Sequence, residues 1–160
     1  MKKSTRGFSL IELLIVVAII LIIAAIAIPN LLRSRIAANQ ASAVGSLRTL
    51  NTSEATYSST YNEGYSYTMA YLAPDPTGNA PTSTAAGLID SILAGGAKSG
   101  YSFTYVPGAS DSTGRINAYD FTAVPITSNT GTNYYYTDQS GVIRQNSTTT
   151  AESTDSPLAG

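Results

Sequence analysis

Glu12 is the only charged residue between Phe8 and Ile28, in a run of 21 mostly apolar residues. An acidic side chain inside such a segment costs on the order of 2.5–3.5 kcal/mol when the segment enters a membrane. Retention of this carboxylate therefore predicts a cationic partner, because pairing relieves part of the desolvation cost. A carboxylate that extends to the lipid headgroups without any partner is the alternative interpretation.

The composition excludes most catalytic chemistry. The 160 residues include no histidine, cysteine or tryptophan, which removes imidazole bases, thiol nucleophiles, disulfides and metal sites built from those ligands. Serines are abundant, but only Lys98 or a carboxylate could activate one, and neither lies in a catalytic motif. The net charge of −1 provides no basic field for nucleic acid. We predict a protein that is not an enzyme and that uses no cofactor, and the sequence indicates no nucleic-acid partner.

Acidic residues in the second half of the chain are isolated from one another in sequence (Asp75, Asp90, Asp111, Asp120 and Asp138). Three of them could converge on a calcium ion, which accepts scattered oxygen ligands from loops. No motif groups these residues, so solvated loop acids are the preferred interpretation and no metal site is predicted.

The apolar run has the length of a membrane span. A helix over Phe8–Ile28 is about 31 Å long, and the hydrocarbon core of a bilayer is about 30 Å thick. Three basic residues and no acid precede it, which predicts a cytoplasmic amino terminus (Lys2, Lys3 and Arg6). A signal peptide cleaved after Ala25-Ile26-Ala27 and a plain membrane anchor are alternatives. The apolar run of this chain is longer than the about 15 residues at most that a signal peptide contains. A plain anchor would leave Glu12 without a partner.

The junction Gly7-Phe8-Ser9-Leu10-Ile11-Glu12 combines a small residue that ends a basic leader, an aromatic residue, and a glutamate five places past the glycine. With the apolar residues up to Pro29, it closely resembles the prepilin signal of type IV pilins and type II secretion pseudopilins. The resemblance implies that a membrane-embedded prepilin peptidase cleaves the Gly7–Phe8 bond and N-methylates Phe8. It maps the family's glutamate onto Glu12 and the family's proline onto Pro29. Leu21 departs from the family pattern, which has a glycine near this point.

Two of these residues have physical roles that can be stated. Cleavage frees an α-amino group at Phe8, and the amine of one subunit could pair with Glu12 of the next in a filament. Pro29 has no N–H, and its ring crowds the carbonyl of Ala25 at a cost of about 3 kcal/mol in a continuous helix. A kink or a loosened turn is therefore expected at Pro29.

The resemblance implies a structural subunit of a type IV pilus. Its expected partners are further copies of the chain, the prepilin peptidase, membrane lipid before assembly, and an inner-membrane assembly platform with its ATPase. The expected location is the bacterial inner membrane, as a single-pass protein, and then an extracellular filament. A type II secretion pseudopilin in a periplasmic pseudopilus is the alternative, and a monomeric membrane-tethered binding protein is a more remote one.

The predicted fold class is α+β, the pilin fold, with a long amino-terminal helix whose second half packs on a small antiparallel β-sheet. Its predicted parts are the leader peptide at 1–7, the transmembrane and filament-core helix at 8–28, the amphipathic half of the helix at 29–61, the globular head at 62–145 and a flexible tail at 146–160.

Within the head, hydrophobic periodicity predicts the individual elements. A mostly apolar stripe at three- and four-residue steps predicts the helix face that covers the sheet (Ile36, Ala43, Leu47, Leu50, Glu54, Tyr57 and Tyr61). A second helix is predicted from Ser83 or Thr84 to Leu93, ended by Gly95-Gly96. Strands are predicted at 101–106, 116–126, 133–137 and 142–145, the last two joined by a turn at 138–141.

Overall fold

A computed structural model of the chain describes residues 7–158. It contains a helix α1 (Leu10–Tyr61), a 3₁₀ turn (Met69–Leu72), a short helix α2 (Ser91–Ala94) and five strands. The strands are β1 (Ala97–Lys98), β2 (Tyr101–Pro107), β3 (Tyr119–Pro125), β4 (Tyr134–Asp138) and β5 (Arg144–Asn146). The chain divides into two compact units, Met1–Arg35 and Ile36–Gly160, and the boundary falls inside α1.

The sheet has the order β1-β2-β3-β4-β5, and all neighbouring strands are antiparallel. Alternation of large aromatic and small polar residues in Tyr101-Ser102-Phe103-Thr104 places Tyr101 and Phe103 in the core and leaves Ser102 and Thr104 exposed. In the hairpin, Tyr134 pairs with Asn146 and Tyr136 pairs with Arg144. One long helix with a small antiparallel sheet confirms the predicted α+β pilin fold.

The second part of α1 supplies one side of the head's core. Most residues of the predicted stripe are buried (Ala43, Leu47, Leu50, Glu54 and Tyr57). The four of them other than Glu54 belong to one hydrophobic cluster with buried side chains of the strands, among them Phe103, Phe121 and Tyr135. The periodicity of apolar residues in this half of the helix therefore identifies the helix face that packs against the sheet.

One acid lies inside this core. Glu54 is 0% exposed, and its carboxylate accepts hydrogen bonds from the Ser66 N–H at 2.9 Å and from the Ser66 hydroxyl at 2.6 Å. The Tyr105 hydroxyl donates to the Ser66 carbonyl. Burial raises the pKa of Glu54 above its ordinary value of 4.5, and the Ser66 hydrogen bonds act in the opposite direction. Glu54 thus ties the chain that follows α1 back onto the helix.

The region predicted as a helix from Ser83 or Thr84 to Leu93 is mostly extended, and only Ser91–Ala94 is helical. Backbone N–H groups of residues 86–89 donate to carbonyls of residues 71–73 instead of to their own turn. Gly87 has a φ of +66°, which a right-handed helix does not accommodate. Ala86, Ile89 and Leu93 are nevertheless buried, so the apolar spacing indicates burial here and not a helical backbone.

The flexible tail predicted at 146–160 begins with the last residue of β5, and residues 147–158 fold back on that strand, while residues 159–160 lie outside the described residues. Gln145 N–H donates to the Ser156 carbonyl at 3.1 Å, and Leu158 N–H donates to the Ile143 carbonyl at 2.8 Å. Ala151 is only 2% exposed. The expectation of a flexible tail does not describe this segment, because its attachment depends on hydrogen bonds that an apolar pattern does not reveal.

Candidate processing and assembly site

The Gly7–Phe8 bond precedes the helix. Residues 7–9 have no regular secondary structure, and α1 begins at Leu10. Phe8 is 82% exposed, and within the described residues 7–158 no heavy atom other than those of the adjoining residues lies within 4 Å of the position that a Cβ on Gly7 would occupy. The bond predicted to be cleaved therefore lies in exposed, non-helical backbone, where a peptidase can reach it. The basic residues of the leader (Lys2, Lys3 and Arg6) lie outside the described residues.

Glu12 has a hydrogen-bond partner in its own chain. The Ser9 backbone N–H donates to Glu12 Oε2 at 2.9 Å, and the Leu13 N–H donates to the Ser9 carbonyl at 3.2 Å. Ser9 and Glu12 thus occupy the first and last positions of a Ser-x-x-Glu capping box, in which the glutamate satisfies a backbone donor ahead of the helix. The charge of Glu12 does not reveal this role, but its position three residues after Ser9 is the sequence signal for it.

The apolar part of α1 is exposed to solvent in this chain. The large apolar side chains from Phe8 to Leu32 are exposed, from 45% at Leu32 to 82% at Phe8. By length and composition this helix could cross a membrane. Such a continuous apolar surface indicates a lipid or protein environment, because soluble monomers rarely expose patches of this size.

Pro29 lies inside α1, and the helix continues through it from Leu10 to Tyr61. The proline nitrogen has no hydrogen, so the carbonyl of Ala25 loses its intrahelical donor at this point. The first polar residues after the apolar run, Asn30, Arg33 and Arg35, follow directly. The structure thus places Glu12 at the start of the apolar segment and Pro29 at its end, without bringing them together.

Three of the five loop acids considered as calcium ligands accept hydrogen bonds within their own turns. Asp75, Asp111 and Asp138 each accept, through Oδ1, the backbone N–H two residues later, at 2.7 to 2.8 Å. The glycine three residues after each aspartate has positive φ and donates to the aspartate carbonyl (Gly78, Gly114 and Gly141). Among residues 7–158 no three acidic side chains group closely enough to hold a metal ion.

Residues 2–28 match the family model described as the prokaryotic N-terminal methylation motif. The chain is also similar, over part of its length, to two type IV pilus proteins. Over 52 residues it is 50% identical to the type IV major pilin protein PilA of Myxococcus xanthus, covering 32% of this chain and 24% of that protein. Over 37 residues it is 62% identical to the type IV wide pilus major component PilA4 of Thermus thermophilus, covering 23% and 28%.

The similarity to these pilins is confined to one part of the chain. The matches span about a quarter of the length of either relative, and no solved structure matches this chain.

Proposed function

We propose that the chain is a structural pilin subunit of a type IV pilus. A prepilin peptidase cleaves the Gly7–Phe8 bond and methylates Phe8. The mature chain stays in the inner membrane through residues 8–28 until an ATP-driven platform moves it into a helical filament of identical subunits. The reaction belongs to the peptidase, and the chain itself has a mechanical role.

The exposed apolar surface of α1 is the observation that carries this proposal. Water is an unfavourable environment for a helix whose large apolar side chains are all about half exposed or more. Lipid and other copies of the same helix both remove that surface from water. A subunit that moves from one environment to the other therefore uses the same residues before and after assembly.

Glu12 supplies the polar contact within that surface. Its Oε2 atom accepts from Ser9 N–H, while Oε1 has no hydrogen bond within residues 7–158. After cleavage, the Phe8 amine is a cation near the start of every helix, and a neighbour's amine can approach Glu12. Pairing of Glu12 with this amine would neutralise both charges inside the filament and set the axial offset of the subunits.

The pilus is preferred over the pseudopilus because both matched relatives are named as major pilus components. The two functions share the leader, the cleavage and the apolar helix, so only the location of the filament separates them. Filaments sheared from the cell surface that contain this chain support the pilus. Intact surface filaments with blocked export of proteins in a deletion strain support the pseudopilus instead.

Mass spectrometry of filament subunits, with Gly7→Leu as the variant, tests the proposed processing. Wild-type subunits are expected to begin with methylated Phe8, and Gly7→Leu chains are expected to remain in the membrane with the leader attached. Gly45→Ala is the matched control, since Gly45 also has no neighbour within 4 Å of an added Cβ. Assembled subunits that retain Met1 would contradict the proposal.

A further inference from the structure

Two arginines follow the apolar segment of α1. Arg33 and Arg35 are the first charged residues after Glu12, and both side chains are exposed. The next acidic residue along the chain is Glu54. The single ion pair that the structure shows among residues 7–158 lies in the head, so neither guanidinium has an acidic partner there. Both cations are therefore available to a partner outside this chain.

The helix places both arginines at the depth of lipid headgroups. Residues 8–28 span about 31 Å, which fills the hydrocarbon core, and the headgroup layer adds about 5 to 8 Å on each side. At a rise of about 1.5 Å per residue, the Cα atoms of Arg33 and Arg35 lie about 8 and 11 Å beyond Ile28. Helical side chains tilt toward the amino terminus, which here is toward the bilayer. Both guanidinium groups can therefore reach the phosphate layer.

The spacing of the two arginines distinguishes a lipid layer from a single protein surface. Two residues correspond to about 200° of rotation and about 3 Å of rise, so Arg33 and Arg35 lie on opposite sides of α1 at nearly the same level. A headgroup layer surrounds the helix and contacts both sides at once, whereas one neighbouring subunit contacts one side. A guanidinium binds phosphate through two parallel hydrogen bonds. The spacing therefore favours phospholipid over a second copy of the chain as the partner.

The proposed cleavage makes these arginines more important for the membrane-bound chain. The leader carries three basic residues on the cytoplasmic side, and cleavage removes all of them. The basic side chains that remain next to the span are Arg33 and Arg35, on the far side of the membrane. Basic residues normally concentrate on the cytoplasmic side of a span, so a role at the far surface would account for their position.

We propose, on the basis of the proposed function, that Arg33 and Arg35 form a binding site for the phosphate groups of anionic phospholipids in the outer leaflet of the inner membrane. The site holds the processed subunit by charge at the surface through which it leaves. Extraction of the subunit then has to break these contacts before the apolar helix leaves the lipid.

Spin-label spectroscopy of the full chain in phosphatidylcholine vesicles tests the lipid contact. Trace spin-labelled phosphatidylglycerol, compared with spin-labelled phosphatidylcholine, reports which lipid the helix retains. We expect the wild type to prefer phosphatidylglycerol and Arg33→Gln/Arg35→Gln to reduce that preference at least about threefold, because two cations near the membrane surface are lost. Arg33→Lys/Arg35→Lys should retain most of the preference. The leader is common to all these chains and contributes equally.

Arg48→Gln is the matched control, since Arg48 is also an exposed cation of α1 but lies much farther along the sequence from the apolar segment. It should retain the wild-type preference. The same preference in the wild type and in Arg33→Gln/Arg35→Gln, or an equal loss in Arg48→Gln, would overturn the proposal.

A nitroxide between the two arginines tests their depth. Because the chain has no cysteine, Ser34→Cys gives a unique and exposed labelling position. Its accessibility to oxygen and to a water-soluble nickel complex should place the label at the level of the headgroups. A label in bulk water or in the hydrocarbon core would overturn the lipid site.

Filament yield separates this inference from the proposed function. Loss of filaments in Arg33→Gln/Arg35→Gln with an unchanged lipid preference would assign the arginines to an acidic surface of a second subunit and overturn the lipid site. The vesicles contain neither peptidase nor assembly platform. A wild-type chain that shows the lipid preference but forms no filaments in cells would therefore support the lipid site and contradict only the proposed function.

Discussion

At the scale of single residues, Glu12 combines a hydrogen bond and a charge that can be separated by substitution. Glutamine at position 12 retains an oxygen for the Ser9 N–H but has no charge, whereas leucine has neither. We expect Glu12→Gln and Glu12→Leu to be cleaved at Gly7 and folded, yet to form few or short filaments, because neither can pair with an amine. Glu12→Asp is expected to lie in between.

Electron microscopy of sheared filaments and mass spectrometry of the membrane-bound chain are the measurements for this prediction. Abundant filaments from Glu12→Leu would show that the carboxylate has no assembly role. Normal filaments from Glu12→Gln alone would assign Glu12 to the helix cap and not to an ion pair.

Glu54 predicts a pH dependence of the head's stability. Burial raises its pKa in the folded chain, whereas in the unfolded chain the pKa stays near 4.5. Between these two values the folded chain holds a proton that the unfolded chain has lost, so the free energy of unfolding decreases as pH rises through this window. In Glu54→Gln this decrease should be absent. Thermal unfolding of the chain followed by circular dichroism as a function of pH measures the difference.

The control for this experiment is Glu63→Gln, since Glu63 is exposed and lies in the loop after α1. It should retain the wild-type dependence on pH. A wild-type profile in Glu54→Gln as well would mean that Glu54 is not the group responsible.

At the scale of secondary-structure elements, Gly45 and Gly64 differ in whether their positions can accommodate a side chain. Gly45 lies in an exposed turn of α1 with open space around it, and Gly45→Ala should stabilise the head by about 1 kcal/mol. Gly64 has a φ of +86°, and an added Cβ would lie 2.3 Å from the Ile116 carbonyl oxygen. Gly64→Ala should therefore destabilise the head by at least about 2 kcal/mol. Paired thermal unfolding curves check both signs, and equal midpoints would contradict the geometry.

The elements predicted well from the sequence are those whose backbone conformation depends on neighbouring residues in the sequence. β2 and the hairpin of β4 and β5 were predicted to within about two residues, because aromatic alternation and a glycine turn act locally. β1 was missed since it has only two residues. The predicted helix up to Leu93 failed because hydrogen bonds to residues 71–73, distant in sequence, replace those of a helix.

The candidate site shows the same limit. Gly7, Phe8, Glu12 and Pro29 follow from a local motif, so the sequence could name them without any knowledge of the head. The contact of Glu54 in α1 with Ser66 in the following loop joins residues 12 positions apart, and no local sequence pattern marks it. Such contacts become visible only when the backbone path is known.

At the scale of the whole molecule, the two units predict a point of truncation. Among residues 7–158, every buried residue lies beyond Ile36, the first being Ala43, so deletion of residues 1–35 removes no part of the described core. The remaining chain should be a soluble, folded monomer whose melting temperature is the same with and without a reducing agent. Size-exclusion chromatography and circular dichroism measure this.

A longer deletion provides the contrast. Removal of residues 1–50 also removes Ala43, Leu47 and Leu50 from the core and should give an insoluble or unfolded product. If the chain without residues 1–35 behaves in the same way, the boundary at Ile36 is misplaced.

In the proposed pilus, the uncovered apolar surface of α1 would let the helix distribute between two environments, the bilayer and the polymer. Because both environments exclude water from the same side chains, the transfer free energy between them is small compared with that of either transfer from water. A process with such a balance has a critical concentration. Growth of the polymer should then cease below a threshold density of subunits in the membrane, and returned subunits should dissolve in the bilayer intact and ready for reuse.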